Sequence, residues 1–298
     1  MVKKICFWVC CLGSSQSIAQ SDNLLNLVQD TDSIKTEYVT NAFKSSRVIN
    51  NQSIEMIGKG VLDFRILHRF GLLNSGISNF YGFDQASFRL GFDYGITQNL
   101  SIGVGRSTYQ KELDGSIKWR ILQQTQGRKE QPFSLVWVSG VTLNTTPAPS
   151  GEISAPVSDR SGYYHELLIG RKFNENFSFQ LNPILVHRNR IQPTSSKDDN
   201  NVVAIGFGLR MKLSRRIAFV ADYDYVISGL NKEIFENPLA IGFDIETGGH
   251  VFQLHFSNTV GMNENAFLTK TTNQWGKGAV NFGFNLSRVF SIRKKKIS

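Results

Sequence analysis

Nine charged side chains on strand-like segments hold the chemistry available in this chain. Arg65, Arg69, Arg89, Lys118 and Arg120 come from its first half, and Asp222, Asp224, Asp244 and Glu246 from its second. They alternate with large apolar neighbours, as in Asp63-Phe64-Arg65-Ile66 and Asp222-Tyr223-Asp224-Tyr225. Alternation places such charges on the polar face of a strand. If those faces line one closed sheet, a basic wall opposes an acidic wall across a narrow bore. The field between them would orient small polar solutes. The same residues permit local pairing, because Asp63 and Asp93 lie on the basic side and Arg210 and Lys212 beside the acidic strands. A bore filled by its own side chains is the other reading.

Other chemistries find little support. Cys6, Cys10 and Cys11 all precede residue 20, so the chain beyond that point has no thiol for disulfides, zinc, iron–sulfur clusters or nucleophilic attack. His68, His165, His187, His250 and His255 are scattered without ligand spacing, and no metal or cofactor is expected. A Ser–His lipid hydrolase on the outer wall would use His68 or His165, but neither has an outward serine on an adjacent strand. Gly103-Val104-Gly105 lies in a strand and lacks the following helix of a phosphate loop. Asp198-Asp199 reads as a solvated loop tip. No catalytic residue is assigned and no enzyme is expected.

The elements that position the nine charges come from period-two alternation. Gly278 to Phe290 puts Val280, Phe282, Phe284 and Leu286 on one face and Asn281, Gly283, Asn285 and Ser287 on the other. From residue 60 onward this pattern recurs in segments long enough for a tilted strand to cross a bilayer. The expected fold is all-β, a closed antiparallel transmembrane barrel of about 12 strands. Short turns (Ile96 to Asn99, Asn174 to Asn176, Ser214 to Arg216, Thr247 to Gly249) alternate with long links (71–84, 144–162, 189–200, 226–238, 258–277). That asymmetry predicts periplasmic turns, outer loops and both barrel ends in the periplasm. Leu113-Asp114-Gly115 reads as part of a short outer link, which places Trp119 near an outer end. Arg106, on the lipid-facing parity, predicts an early strand end or a bulge after Gly105.

The ends complete the organisation. Lys3 and Lys4, the apolar run Ile5 to Leu12 and Ser17-Ile18-Ala19 read as a signal peptide over 1–19. Residues 20–56 lack alternation and are expected to hang in the periplasm or to plug the barrel over 57–290. Residues 291–298 form a basic periplasmic tail. The formal charge of +9 is concentrated partly in these termini, so it points to anionic lipid headgroups rather than nucleic acid.

His68-Arg69-Phe70-Gly71, Tyr81-Gly82-Phe83-Asp84 with the following QASFRLGFDYGIT, Gly103 to Ser107, Leu113 to Lys118 and the upstream AFKSSRVINNQSIE resemble an uncharacterised exported β-barrel family of Bacteroidota. The resemblance covers most of the chain and implies architecture without an activity. The expected partners are outer-membrane lipid, a small polar solute and, during biogenesis, the barrel-assembly machinery. The expected function is a narrow passive channel or small-solute transporter in the outer membrane. The alternative is a closed structural or interaction barrel whose outer loops bind a partner.

Overall fold

The computed structural model describes residues 35–148, 155–191 and 198–292. The expected signal peptide and residues 293–298 of the basic tail lie outside them. Twelve strands follow one another around a closed barrel: β1 (Val61–Leu72), β2 (Ala86–Gly95), β3 (Leu100–Ser107), β4 (Glu112–Leu122), β5 (Ser134–Asn144), β6 (Ser161–Lys172), β7 (Phe177–Arg188), β8 (Asn201–Lys212), β9 (Ile217–Ser228), β10 (Leu239–Thr247), β11 (His250–Ser257) and β12 (Asn281–Ser291). Every neighbouring pair is antiparallel, and β12 closes the sheet on β1 with Ser291 opposite Val61. Full closure leaves no unpaired edge, which is what a sheet in hydrocarbon requires.

The outward parity follows the sequence pattern. Phe88, Phe92, Ile102, Ile117, Trp119, Phe243, Phe252, Leu254 and Phe256 are all exposed on the outside. A wall of large apolar side chains facing away from the protein is the signature of a lipid-facing surface. Ring pairs such as Phe64–Phe92 (5.1 Å) and Phe219–Phe243 (5.7 Å) run across neighbouring strands on that face.

Two local expectations are corrected. Leu113-Asp114-Gly115 lies inside β4, where Asp114 pairs opposite Gly105 and Thr142. The link between β3 and β4 is only 108–111, with Gln110 and Lys111 at positive φ, so β4 begins earlier than the pattern implied. Trp119 consequently sits opposite Leu100, near the end where the short turns lie. Arg106 causes neither an early strand end nor a bulge, pairing in regular register with Leu90 and Leu113. Its guanidinium reaches the loop rim, bonding Thr145 Oγ1 (2.6 Å) and the Lys111 carbonyl. A cation at the rim keeps its polar partners, so the strand has no reason to break.

Inside the barrel the two halves of the wall differ. Strands β11, β12 and β1 to β4 turn mostly polar or small residues inward: Asp63, Arg65, Arg69, Arg89, Ser101, Lys118, Gln253, Asn285 and Ser287. Strands β5 to β10 carry a buried apolar cluster that includes Val136, Val138, Leu168, Ile184, Val186, Val202 and Val220. An apolar inner wall in an empty, wet bore would be costly. It is covered by two segments that enter the barrel from opposite ends.

The first is a hairpin over 42–57, immediately before β1. Arg47 bridges Gln52, Val48 N donates to Asn51 O (2.8 Å) and Ser53 N to Ser46 O (2.9 Å). Its base is clamped by Glu55, whose Oε1 accepts from Ala42 N (2.5 Å) and Phe43 N (3.2 Å). The chain ahead of it pairs Glu37–Tyr38 with Thr125–Gln126 of the β4–β5 link. The second is the long link after β11. It folds inward as a short helix α1 (Glu264–Thr269), every residue of which is buried. Asn263 caps it by accepting from Ala266 N (2.8 Å). Reciprocal bonds between the Asn258 and Asn273 side-chain amides and main-chain carbonyls (3.0 and 3.1 Å) close the neck of this link. The expectation that 258–277 stands outside as a partner-binding loop is therefore corrected for its central part, which is core.

Candidate functional site in the plugged bore

The bore is built where the hairpin tip, α1 and the wall meet. Phe43, Val48, Ile49 and Ile54 of the hairpin and Phe267 and Leu268 of α1 join the apolar cluster of β5 to β10. Four fully buried side chains of this size contribute roughly 1.5–3 kcal/mol each, so withdrawing the hairpin would cost on the order of 10 kcal/mol before any polar contact is counted. The hairpin and α1 fill this half of the bore.

The acidic candidates grip the hairpin. Asp222 Oδ2 accepts from the main-chain N–H groups of Ile49 (3.0 Å), Asn50 (2.6 Å) and Asn51 (3.1 Å), and its Oδ1 accepts from Asn50 Nδ2 (3.2 Å). Three convergent amides on one carboxylate form an anion nest, which satisfies a buried charge without a cation. Asp224 accepts from Asn51 Nδ2 (2.9 Å). Asp244 accepts from Gln253 Nε2 (2.7 Å) and faces Arg210 Nε at 4.0 Å. Glu246 sits at the turn-end rim, paired with Lys44 (3.1 Å) and Arg210 (3.5 Å).

The basic candidates divide into three kinds. Arg65 and Arg89 are neutralised on the wall, Arg65 by Asp63 (3.0 Å) and Asp93, and Arg89 by Asp114. Among the described residues, Arg69 and Lys118 hydrogen-bond neutral oxygens only. Arg69 bonds His68 O (3.1 Å), Asn285 Oδ1 (3.2 Å) and the hairpin's Asn50 Oδ1 (2.9 Å), and Lys118 bonds Ser46 O (3.1 Å). Arg120 lies outside the bore proper, half-buried at the turn-end rim on Asn99 Oδ1 (3.1 Å) and Gln98 O (2.8 Å). Basic and acidic walls therefore do not face each other across open space. Asn50 of the hairpin stands between Arg69 and Asp222 and bonds both.

Several buried groups escaped the sequence reading. Arg47 of the hairpin pairs with Glu264 of α1 at 2.9 Å, and Gln52 Nε2 donates to the same carboxylate at 3.0 Å. This joins the two plugs inside the barrel. Gln180 receives Ile54 N (3.1 Å) and donates to Gln52 O (2.6 Å), while Glu166 accepts from Asn182 (3.0 Å). The inward parity of both was the available signal: Glu166 stands between inward Tyr164 and Leu168, and Gln180 between inward Ser178 and Asn182. Among the described residues no group of three or more His, Cys, Asp or Glu is arranged to hold a metal ion.

Two small cavities lie between the hairpin and the wall. One of about 20 Å³ is lined by Ser45, Arg47, Arg65, Gln253, Asn285 and Ser287. Another of about 10 Å³ is lined by Ser46, Asp93, Ser101, Gly103, Ser116 and Lys118. Both lie against the polar half of the wall, and each has room for about one water.

Comparison with known proteins bears on the architecture. Solved structures similar in shape include the NanC porin (TM-score 0.47, 8% identity, 78% of this chain and 100% of that one) and the KdgM porin (TM-score 0.44, 8% identity, 77% and 99%). LpxR from Salmonella typhimurium aligns with a TM-score of 0.36 at 10% identity over 77% and 99%. Likenesses of this strength carry no argument about activity. No curated protein matches the chain. The model of the DUF5777 family, described as a membrane-bound β-barrel domain, matches residues 43–290, from the hairpin through the last strand. The chain belongs to this family of membrane-bound β-barrels.

Proposed function

We propose that the protein is an outer-membrane barrel, closed at rest, that passes ions or small polar solutes along the charged half of its bore. The hairpin stays docked on the apolar half while this happens. The observation that supports this reading is the position of the two cavities, both between the hairpin and the polar wall. Contacts on that side are hydrogen bonds, which exchange with water at little net cost, whereas the other side adds apolar burial to the hydrogen bonds of Asp222, Asp224 and Gln180. Arg65, Arg69, Arg89 and Lys118 then border the path, while Asp222, Asp224 and Asp244 hold or face the plug. Glu246 and Arg120 stand at its turn-end mouth. The purified full-length protein in planar bilayers is expected to give small discrete steps. Deleting residues 42–56 is expected to give much larger ones from a barrel that still shifts in mobility on heating. Silence from both proteins would sink the channel reading.

A second reading, a closed structural or interaction barrel, draws on the small size of the same cavities. It expects silence even after the hairpin is removed, and no enzymatic activity belongs to either reading.

A further inference from the structure

The link between β1 and β2 folds back against the outer face of the barrel wall. Gly71 and Gly82 pinch its neck so closely that a Cβ on Gly82 would meet Gly71 C at 2.5 Å and Leu72 O at 2.7 Å. Gly82 has φ +86, a conformation that suits glycine. Phe83 then lies against outward-facing rings of the wall, 4.8 Å from Phe70 and 6.1 Å from Phe282, and Phe80 packs at a tilt against Phe83 at 5.6 Å. Asn74 Nδ2 donates to Lys277 O (3.2 Å) and fastens the link to the segment before β12.

Beyond that neck the link presents Ile77, Phe80 and Tyr81, which are 72%, 59% and 49% exposed. Phe80 and Tyr81 are consecutive bulky residues at positive φ (44° and 51°), a strained arrangement for aromatic side chains. The turn around them is closed on itself, with Tyr81 N on Gly76 O (2.9 Å), Phe83 N on Phe80 O (3.0 Å) and Gln85 N on Gly82 O (3.1 Å). A turn whose N–H groups are already bonded can enter a less polar layer. Asp84, next to Phe83 and exposed, limits how deep it sits.

We infer that residues 73–83 form an aromatic foot that inserts into the boundary between headgroups and acyl chains of one leaflet, beside the barrel wall. The patch is continuous with the lipid-facing surface through Phe70, Phe282 and Phe284, and aromatic rings favour that boundary. Lipid is therefore the occupant. The foot is independent of whether the bore conducts.

The test uses the full chain in lipid vesicles with Cys6, Cys10 and Cys11 replaced by serine and a polarity-sensitive fluorophore on Ile77→Cys. Ile77 is the most exposed of the three, at 72%, so the probe displaces the least packing. The expected results are emission shifted to shorter wavelength and strong quenching by lipids with a shallow spin label. Iodide quenching should be several-fold weaker than for the same probe on Val157→Cys in the β5–β6 loop. Replacing Phe80 and Tyr81 by serine in the labelled chain should return iodide access to the Val157 level. Two results overturn the inference. One is iodide access at Ile77→Cys equal to the control. The other is protection that grows with protein-to-lipid ratio without spin-label quenching, which would mean that a second copy covers the foot.

Discussion

The two halves of the barrel wall present similar outer faces and opposite inner ones. Strands β11, β12 and β1 to β4 turn charges, amides, hydroxyls and glycines into the bore, as a water-filled barrel does. Strands β5 to β10 turn in Val136, Val138, Leu168, Ile184, Val186, Val202 and Val220, as a globular core does. The plugs answer the second half. The hairpin and α1 supply the apolar side chains that this wall would otherwise show to water, while Asp222 and Gln180 hold the hairpin's main chain and Asp224 its Asn51 side chain. One half thus behaves as a core with lipid outside it, and the other as the side of a narrow, wet seam.

The sharpest test of that contrast substitutes one asparagine on each side. Leu168→Asn removes a fully buried leucine and leaves an amide among valines, and is expected to cost about 3–5 kcal/mol or to prevent folding. Ser101→Asn borders the cavity beside Lys118 and is expected to cost about 1 kcal/mol or less. Guanidinium unfolding of the two variants in the same detergent measures the difference. Equal losses would mean that the halves are not distinct.

A second test separates the grip from the apolar packing. Asp222→Ala leaves three main-chain N–H groups of the hairpin tip without their acceptor, an expected loss of about 3 kcal/mol in docking. Trypsin should then cut after Lys44 or Arg47 far faster than in the unaltered protein, while the barrel stays resistant. An unchanged rate would show that packing alone holds the hairpin.

These contrasts explain what could be read from the sequence. Outward parity was readable wherever a polar inward residue separated the apolar ones, as in Phe64-Arg65-Ile66 or Trp119-Arg120-Ile121, and it fixed twelve strands and their order. It was silent about the inner face of segments such as Ile184-Leu185-Val186 or Leu135-Val136-Trp137-Val138, where both faces are apolar. Continuous apolar runs mark strands covered on both sides, and that was the missed sign of a plug. The nine charges lie on strands as expected, but their partners lie at sequence separations of up to 216 residues, as between Arg69 and Asn285. Periodicity does not report contacts of that range. Helix α1 is only six residues long, too short for a helical period to stand out.

The junction of the two plugs offers a third test, of intermediate size. Arg47 and Glu264 are 6% and 1% exposed in their side chains and 2.9 Å apart. Removing one partner strands the other charge. A double-mutant cycle with Arg47→Met and Glu264→Gln should therefore give a coupling of about 2 kcal/mol, with either single variant worse than the pair. Additive losses would mean that the hairpin and α1 fill the bore independently, and that a movement of the outer link is not transmitted to the hairpin.

The smallest expected change in stability belongs to Lys118, and it bears most directly on the seam. Its ammonium borders the smaller cavity and bonds only the Ser46 carbonyl at 3.1 Å. Lys118→Gln is one atom shorter but keeps a donor for that carbonyl, so unfolding should move by about 1 kcal/mol or less. The charge removed faces Asp93, Ser101 and Ser116 across the space where solute would pass. Loss of this cation leaves Asp63 and Asp93 outnumbering Arg65 in their own cluster, so the seam becomes more favourable to cations. Reversal potentials in a salt gradient should shift toward cation preference, with step size changed less than selectivity. If Lys118→Gln left selectivity untouched while deletion of 42–56 opened large steps, solutes would be passing where the hairpin had been and not beside it. The polar half would then be a lining for the plug, and the distinction between seam and core would fail at the one residue placed to reveal it.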